Sequence, residues 1–231
     1  MSTTTEQFKT AECPHCKIEH HFEVCNQLPR IIPLCDSCAE IQVATWHDRQ
    51  KREELERRFR AGVPSRYCDA ITERIKPGYT AALSWKASDH HGGLGLIGPT
   101  GEGKTCAVAC LIRKLEKPFL WWSGTQARDA ATLAGNAEVD REGARRRWEH
   151  SMKVEVLVID DVSQAKMLET FSSSLFNLLE TRLGNGLPTI WTSQLSLPEL
   201  RAKIVRQNGG DAAQADAISR RLGQHSLVLV R

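Results

Sequence analysis

The octapeptide GPTGEGKT, Gly98 to Thr105, fits G-x-x-x-x-G-K-[ST] and lies between an apolar strand pattern and an amphipathic helical one. Glycines let such a loop curl so that successive backbone N–H groups face a phosphate, and the following helix N-terminus adds partial positive charge. Gly98, Pro99, Thr100, Gly101, Glu102, Gly103, Lys104, Thr105 and Cys106 are therefore candidate nucleotide-binding residues. Lys104 is placed to neutralise the β- and γ-phosphates. Thr105 offers a hydroxyl to Mg2+, a cation that keeps several waters and needs few protein oxygens.

The segment VEVLVIDD ends in Asp160 and Asp161. An apolar strand that terminates in carboxylates sets them at the C-terminal edge of a sheet, beside the phosphate loop. Asp160 is the candidate for the Mg2+ shell and Asp161 the candidate to polarise an attacking water. The competing use of Asp161 is as a helix N-cap. A further strand pattern, PTIWTSQ, also ends in polar residues, so Gln194, or else Ser193 or Thr192, is a candidate contact to the γ-phosphate or the water. Near the C-terminus Ser219-Arg220-Arg221 offers an arginine to a neighbouring subunit's nucleotide, where it would stabilise transition-state charge in trans.

Cys13-Pro-His-Cys16 and Cys35-Asp-Ser-Cys38 form C-x2-C … C-x2-C with 18 residues between the pairs, the spacing of a structural zinc site. Four thiolates close a tetrahedral shell and leave no open position, so the metal folds the module instead of catalysing. A segment of about 40 residues buries too little apolar surface to fold alone, which makes such a staple physically sensible. Cys25, His15, His20 and His21 are alternative ligands. Cys68, Cys106 and Cys110 read as small buried apolar residues.

Five apolar segments, at 94–98, 118–124, 154–162, 188–194 and 226–230, read as buried strands separated by helix-length stretches. That alternation predicts an α/β fold with a five-stranded parallel sheet between helices. Ala107, Val108, Leu111, Ile112 and Leu115 recur at helical spacing after the loop; Leu168, Phe171, Leu175, Leu178 and Leu179 do so later, and both sets are expected to face the core. Ser196 with Pro198 and Glu199 predicts a helix start through a capping box. The expected division is a zinc-binding module over 1–40, a charged helical linker over 41–62 ending at Gly62, and a nucleotide-binding core over 63–231. From Leu94 onward the chain is long enough for five strands and their helices but not for an additional helical lid.

The net charge of +3 conceals a gradient: residues 1–46 carry three basic and six acidic side chains, residues 47–66 seven and four. So mild an excess does not by itself indicate nucleic acid. Composition excludes general disorder, and no apolar run approaches the roughly 20 residues needed to span a bilayer. The N-terminal MSTTTEQFKT lacks a basic start and an apolar stretch, so a cytoplasmic location and no membrane partner are expected. In that reducing compartment the eight cysteines are poor disulfide candidates.

Taken together, GPTGEGKT, the doubled aspartate of VIDD, TSQLS, ISRRL and the upstream AGVPSRYCDA resemble the AAA+ ATPases of the DnaC/DnaI/IstB type over roughly residues 60–231. The resemblance implies an AAA+ core that binds and hydrolyses ATP with Mg2+; with the lid expected absent from length, activity is expected to depend on assembly through the ATP sites and to be weak in the isolated chain. It also implies an N-terminal portion that grips a DnaB-type replicative helicase for loading on single-stranded DNA. Carried over by residue, Lys104 and Thr105 match the phosphate and Mg2+ groups, Asp160 the second Mg2+ group, Asp161 the residue that prepares the water and Arg220 the trans-acting arginine. Gln194 stands where asparagine is usual, and Arg221 intervenes in the usual S-R-[LI] tripeptide. The adenine contacts fall near Val63 to Tyr67. Arg141, Arg145, Arg146 and Arg147 are candidates for the DNA path, against a solvated helix face. An IstB-like transposition helper, a non-hydrolysing zinc adaptor and a P-loop small-molecule kinase are the competing functions.

Overall fold

Strands that are apolar on both sides need cover on both faces, and this sheet receives it from two separate layers. A computed structural model of the chain describes residues 8–23, 33–86, 92–135, 141–224 and 226–230. The chain divides into two compact units, one up to Arg57 and one from Arg58 onward.

In the first unit, strands β1 (Phe8–Glu12) and β2 (Glu19–Glu23) pair antiparallel, a hairpin not anticipated from sequence. Their turn begins at Cys13, whose N–H donates to Ile18 O at 2.9 Å, and Lys17 takes a left-handed φ of 64° to close it. Helix α1 (Asp36–Gly62) opens directly after Cys35, carries Cys38 in its first turn and ends at Gly62 as expected. Cys25 lies outside the described residues.

In the second unit, five parallel strands follow the order β4-β5-β6-β3-β7. They are β3 (Gly93–Ile97), β4 (Phe119–Ser123), β5 (Val156–Asp160), β6 (Thr189–Ser193) and β7 (Ser226–Val230), one for each apolar segment in the sequence. The helices are α2 (Lys104–Leu115), α3 (Gly124–Gly135), α4 (Arg141–Lys153), α5 (Glu169–Gly184), α6 (Leu197–Gln207) and α7 (Ala212–Gln224). Alternation along the strands assigns the layers. Leu94, Leu96, Val156, Val158 and Ile190 join Val108, Leu111, Ile112 and Tyr79, while Leu157, Ile159 and Trp191 join Phe171, Leu175, Leu178, Ile204 and Ile218.

The capping box of α6 is present, with Ser196 N–H donating to Glu199 Oε2 at 2.8 Å. Leu168 corrects an expectation: it is 52% exposed because it is the N-cap of α5 and precedes the face that Phe171 begins. Cys68 and Cys106 are buried and Cys110 is half-buried. Among the described residues no helix is long and apolar enough to cross a membrane.

Candidate functional site

Strand order decides what can meet at the carboxyl edge of the sheet. Because β6 lies between β3 and β5, the residues that end β6 fall between the phosphate loop and the paired aspartates. The connections that leave β3 and β6 run in opposite directions across the sheet, toward β4 and β7, and such a junction is where open α/β sheets bind ligands.

The loop after β3 is fixed at both ends. Gly98 N–H donates to Ser193 O at 3.1 Å, and the fully buried Tyr79 donates its hydroxyl to Ile97 O at 2.7 Å. Gly103, the N-cap of α2, has φ +85°, and a Cβ there would lie 2.9 Å from Arg74 O, so both backbone and space demand glycine. Lys76 pairs with Glu102 at 3.3 Å. The segment 72–84, wound in 3-10 turns, thus braces the loop from the side, a support that carries no periodic signal in sequence. Lys104 is 7% exposed, and its ammonium donates to Gly98 O at 2.6 Å and Pro99 O at 2.8 Å. Burial pulls its pKa down, opposed by the charges of Asp161, Asp160 and Glu102. Cys106 turns its thiol toward Ile71 O at 3.6 Å, leaving its backbone as the part that belongs to the loop.

Thr105 Oγ1 donates to Asp160 Oδ1 at 2.9 Å, and Thr192 Oγ1 donates to the same oxygen at 2.8 Å. Thr192 also accepts the backbone N–H of Asp161 at 2.7 Å. Burial pushes the Asp160 carboxyl above its ordinary value, against the two threonine hydroxyls that lower it. Asp161 does not cap a helix with its side chain. Its two oxygens instead accept Ser163 Oγ and Gln194 Nε2. The sequence-derived candidates Lys104, Thr105, Asp160, Asp161 and Gln194 therefore converge, with Thr192 as the link between the two acids.

The arginines divide. Arg221 lies over the Phe176 ring at 4.3 Å and pairs with Glu180, whereas Arg220 is exposed on α7. On α4, Arg145 pairs with Glu149 at 2.7 Å and Arg146 with Glu142, both exposed i,i+4 pairs; Arg147 is exposed, and the side chain of Arg141 lies outside the described residues.

These donors fit the groups the sequence implied. A loop with left-handed glycines at a helix N-terminus and a buried lysine suits a polyphosphate. A threonine hydroxyl against a carboxylate suits a cation that retains water. In the first unit the Sγ atoms of Cys13, Cys16, Cys35 and Cys38 all lie within 4.8 Å of one another. The Cys16–Cys35 pair is at 3.6 Å, near the roughly 3.8 Å edge of a zinc–thiolate tetrahedron. Backbone N–H groups, first that of Cys16, hold the Cys13 thiol down to about 5, and the Cys35 side chain and burial push Cys38 up to about 12. Sulfurs this close cannot all ionise without a central cation, so the cluster could hold zinc. His15 Nδ1 lies 3.6 Å from Cys38 Sγ, outside the set of four.

A phosphate loop after one strand of a five-stranded parallel sheet, with paired acids ending another, defines a P-loop core of the AAA+ type. Residues 40–230 match the family described as IstB-like ATP binding protein, and the chain belongs to that family. It is similar in fold to DnaI, with TM-score 0.59 and 17% identity over 73% of this chain and 94% of that one. It is also similar to the DnaC helicase loader, with TM-score 0.54 and 16% identity over 72% of this chain and 99% of that one. A third likeness is to a protein described as a primosome component, from Streptococcus pyogenes serotype M3, with TM-score 0.54 and 20% identity over 73% and 89%. Family and fold make this an AAA+ protein of the DnaC/DnaI/IstB type.

Proposed function

We propose that this chain is an ATP-dependent helicase loader, which binds a DnaB-type replicative helicase in the cytoplasm and assembles it on single-stranded DNA. The observation that supports ATP-driven action is the junction of Thr105 and Asp160 at 2.9 Å beside Lys104. When bound, ATP supplies the scissile phosphoanhydride and Mg2+ the charge that draws on its oxygens. Lys104 neutralises phosphate oxygens, and Thr105 with Asp160 holds the cation. Asp161 orients a water and accepts its proton, while Gln194 contacts the same water or the γ-phosphate. Val63 to Tyr67 contribute the adenine contacts.

Arg220, exposed on α7, serves the nucleotide of a neighbouring copy. A trans arginine is worth about 10³ to 10⁵ in rate in phosphoryl transfer, so turnover is weak in the isolated chain and rises on self-assembly. The separate cysteine unit and the basic half of α1 grip the helicase. The similarity to the DnaC helicase loader, of which 99% is spanned, supports this partner. The family description favours one second reading, an IstB-like transposition helper whose partners are a transposase and duplex DNA.

Co-purification separates the two. Retention of the replicative helicase, increased by ATP and single-stranded DNA, is the expected result; retention of a transposase on duplex DNA instead would transfer the assignment. Asp161→Asn should keep ATP-analogue affinity and abolish turnover, measured by phosphate release. Loss of nucleotide binding would instead assign Asp161 to the cation.

A further inference from the structure

Asp161 is a residue with a Cβ in the left-handed region, φ 55° and ψ 62°, one position beyond the end of β5. Aspartate visits that region when its side chain is held by local hydrogen bonds. The holding group here is Ser163. Its hydroxyl donates to Asp161 Oδ1 and accepts the backbone N–H of Gln194 at 3.1 Å. Its carbonyl accepts the ammonium of Lys203, which arrives from α6. Gln194 closes the ring through Nε2 to Asp161 Oδ2. Ser163 is 8% exposed, so bulk water does not replace these partners if one is lost.

The turn after β5 thus meets, on one serine, the end of β6 and the middle of α6, 31 and 40 positions further along the chain. With one oxygen fixed by Ser163 and the other by Gln194, the carboxylate plane has a single orientation. Each oxygen retains a further lone pair for a water. The half-buried Lys203 is depressed in pKa by burial and feels the opposing charge of Asp161, which places it electrically within the same network.

We propose that Ser163 is a positioning residue for the hydrolytic step, setting the Asp161 carboxylate against Gln194, and that Lys203 fixes Ser163 from α6. This rests on the ATP-hydrolysis reading above and deepens it. Neither residue needs to touch nucleotide; both act through Asp161.

The test uses the full chain with its helicase and single-stranded DNA, measuring steady-state ATP turnover, affinity for a non-hydrolysable ATP analogue and thermal midpoint. Ser163→Ala should lower kcat about ten- to hundredfold, the scale of a lost hydrogen bond to a charged group, with analogue affinity unchanged. Ser163→Thr, which keeps the hydroxyl, should recover most of the rate. Lys203→Met should give a loss of the same kind, about three- to tenfold. In a Gln194→Ala background the Ser163→Ala loss should shrink, because both donors serve one carboxylate. Wild-type kcat in Ser163→Ala, fully multiplicative losses, or a parallel fall in analogue affinity would each overturn the proposal. Wild-type turnover no higher than that of Lys104→Ala is a different result, since it overturns the hydrolysis reading itself.

Discussion

A buried acid is a destabilising group until a cation arrives, and Asp160, proposed above to hold one, makes that tension measurable. Its folded-state pKa is raised above the ordinary 3.8, chiefly by burial. The folded chain therefore holds that proton more tightly than the unfolded chain. Ionisation costs stability, fully above the raised pKa, and the cost disappears as pH falls through it toward 3.8. Without nucleotide or Mg2+, Asp160→Asn should raise the thermal midpoint by about 2–4 °C at neutral pH, with the gain shrinking in acid. Asparagine Oδ1 can still accept the hydroxyls of Thr105 and Thr192, so the change isolates the charge. A fall in midpoint at neutral pH would mean that the threonine hydrogen bonds outweigh burial. At this scale the groups with motif spacing were legible in sequence: the loop, the paired acids and the four cysteines. Thr192 was visible only as an alternative to Gln194, and Ser163, Lys203 and Tyr79 not at all. Tyr79 and Lys203 act through backbone carbonyls 18 and 40 positions away, and Ser163, besides Asp161 two positions back, binds the N–H of Gln194 31 positions on, contacts that no local pattern encodes.

One buried cation joins elements of this core in addition to the apolar packing. Arg182, on α5, is fully buried and has no carboxylate among its hydrogen-bond partners. Its guanidinium donates to Ser151 O at 2.7 Å and Val154 O at 2.9 Å, where α4 ends, and to Pro188 O at 2.6 Å and Thr189 Oγ1 at 3.0 Å, where β6 begins. Burial lowers its pKa to about 10, so it stays protonated at neutral pH. Arg182→Met preserves most of the bulk but removes a buried donor from each of these oxygens, of which Pro188 O keeps the Leu157 N–H at 3.3 Å. It should destabilise by about 3–5 kcal/mol in guanidinium chloride unfolding, whereas a loss under about 1 kcal/mol would mean that water repairs the gap. The strands and most helices were legible because the apolar runs of the central strands β3, β5 and β6 are buried along their whole length and helices such as α2 keep their periodicity. Gly95 shows what such reading omits: a Cβ there would lie 2.4 Å from the Trp191 ring, so the glycine records a tertiary neighbour and not a turn. The 3-10 segment that braces the loop has no period of its own, and Leu168 follows the helical repeat while standing outside the helix.

For the whole molecule, the division near Arg57 means that the two chemistries have separate supports. The cysteine unit carries, among its described residues, a two-stranded hairpin and α1 as far as Arg57, with Cys13 and Cys38 as its buried apolar side chains. Surface that small cannot offset the chain entropy of ordering it, and a metal held by the four sulfurs would supply the difference. The second unit has two apolar layers on a five-stranded sheet and needs no such help. Metal analysis of the purified chain should give about one zinc per chain. Removing it with a chelator should expose the four thiols to a thiol reagent and sensitise residues before Arg57 to protease. Affinity for a fluorescent ATP analogue, read on the same stripped sample, should be unchanged. Helicase retention, assigned to the cysteine unit, should be lost with the metal and return when zinc is restored. Loss of nucleotide affinity together with helicase retention would show that the metal supports both units, and the separation drawn at Arg57 would not describe how the chain works.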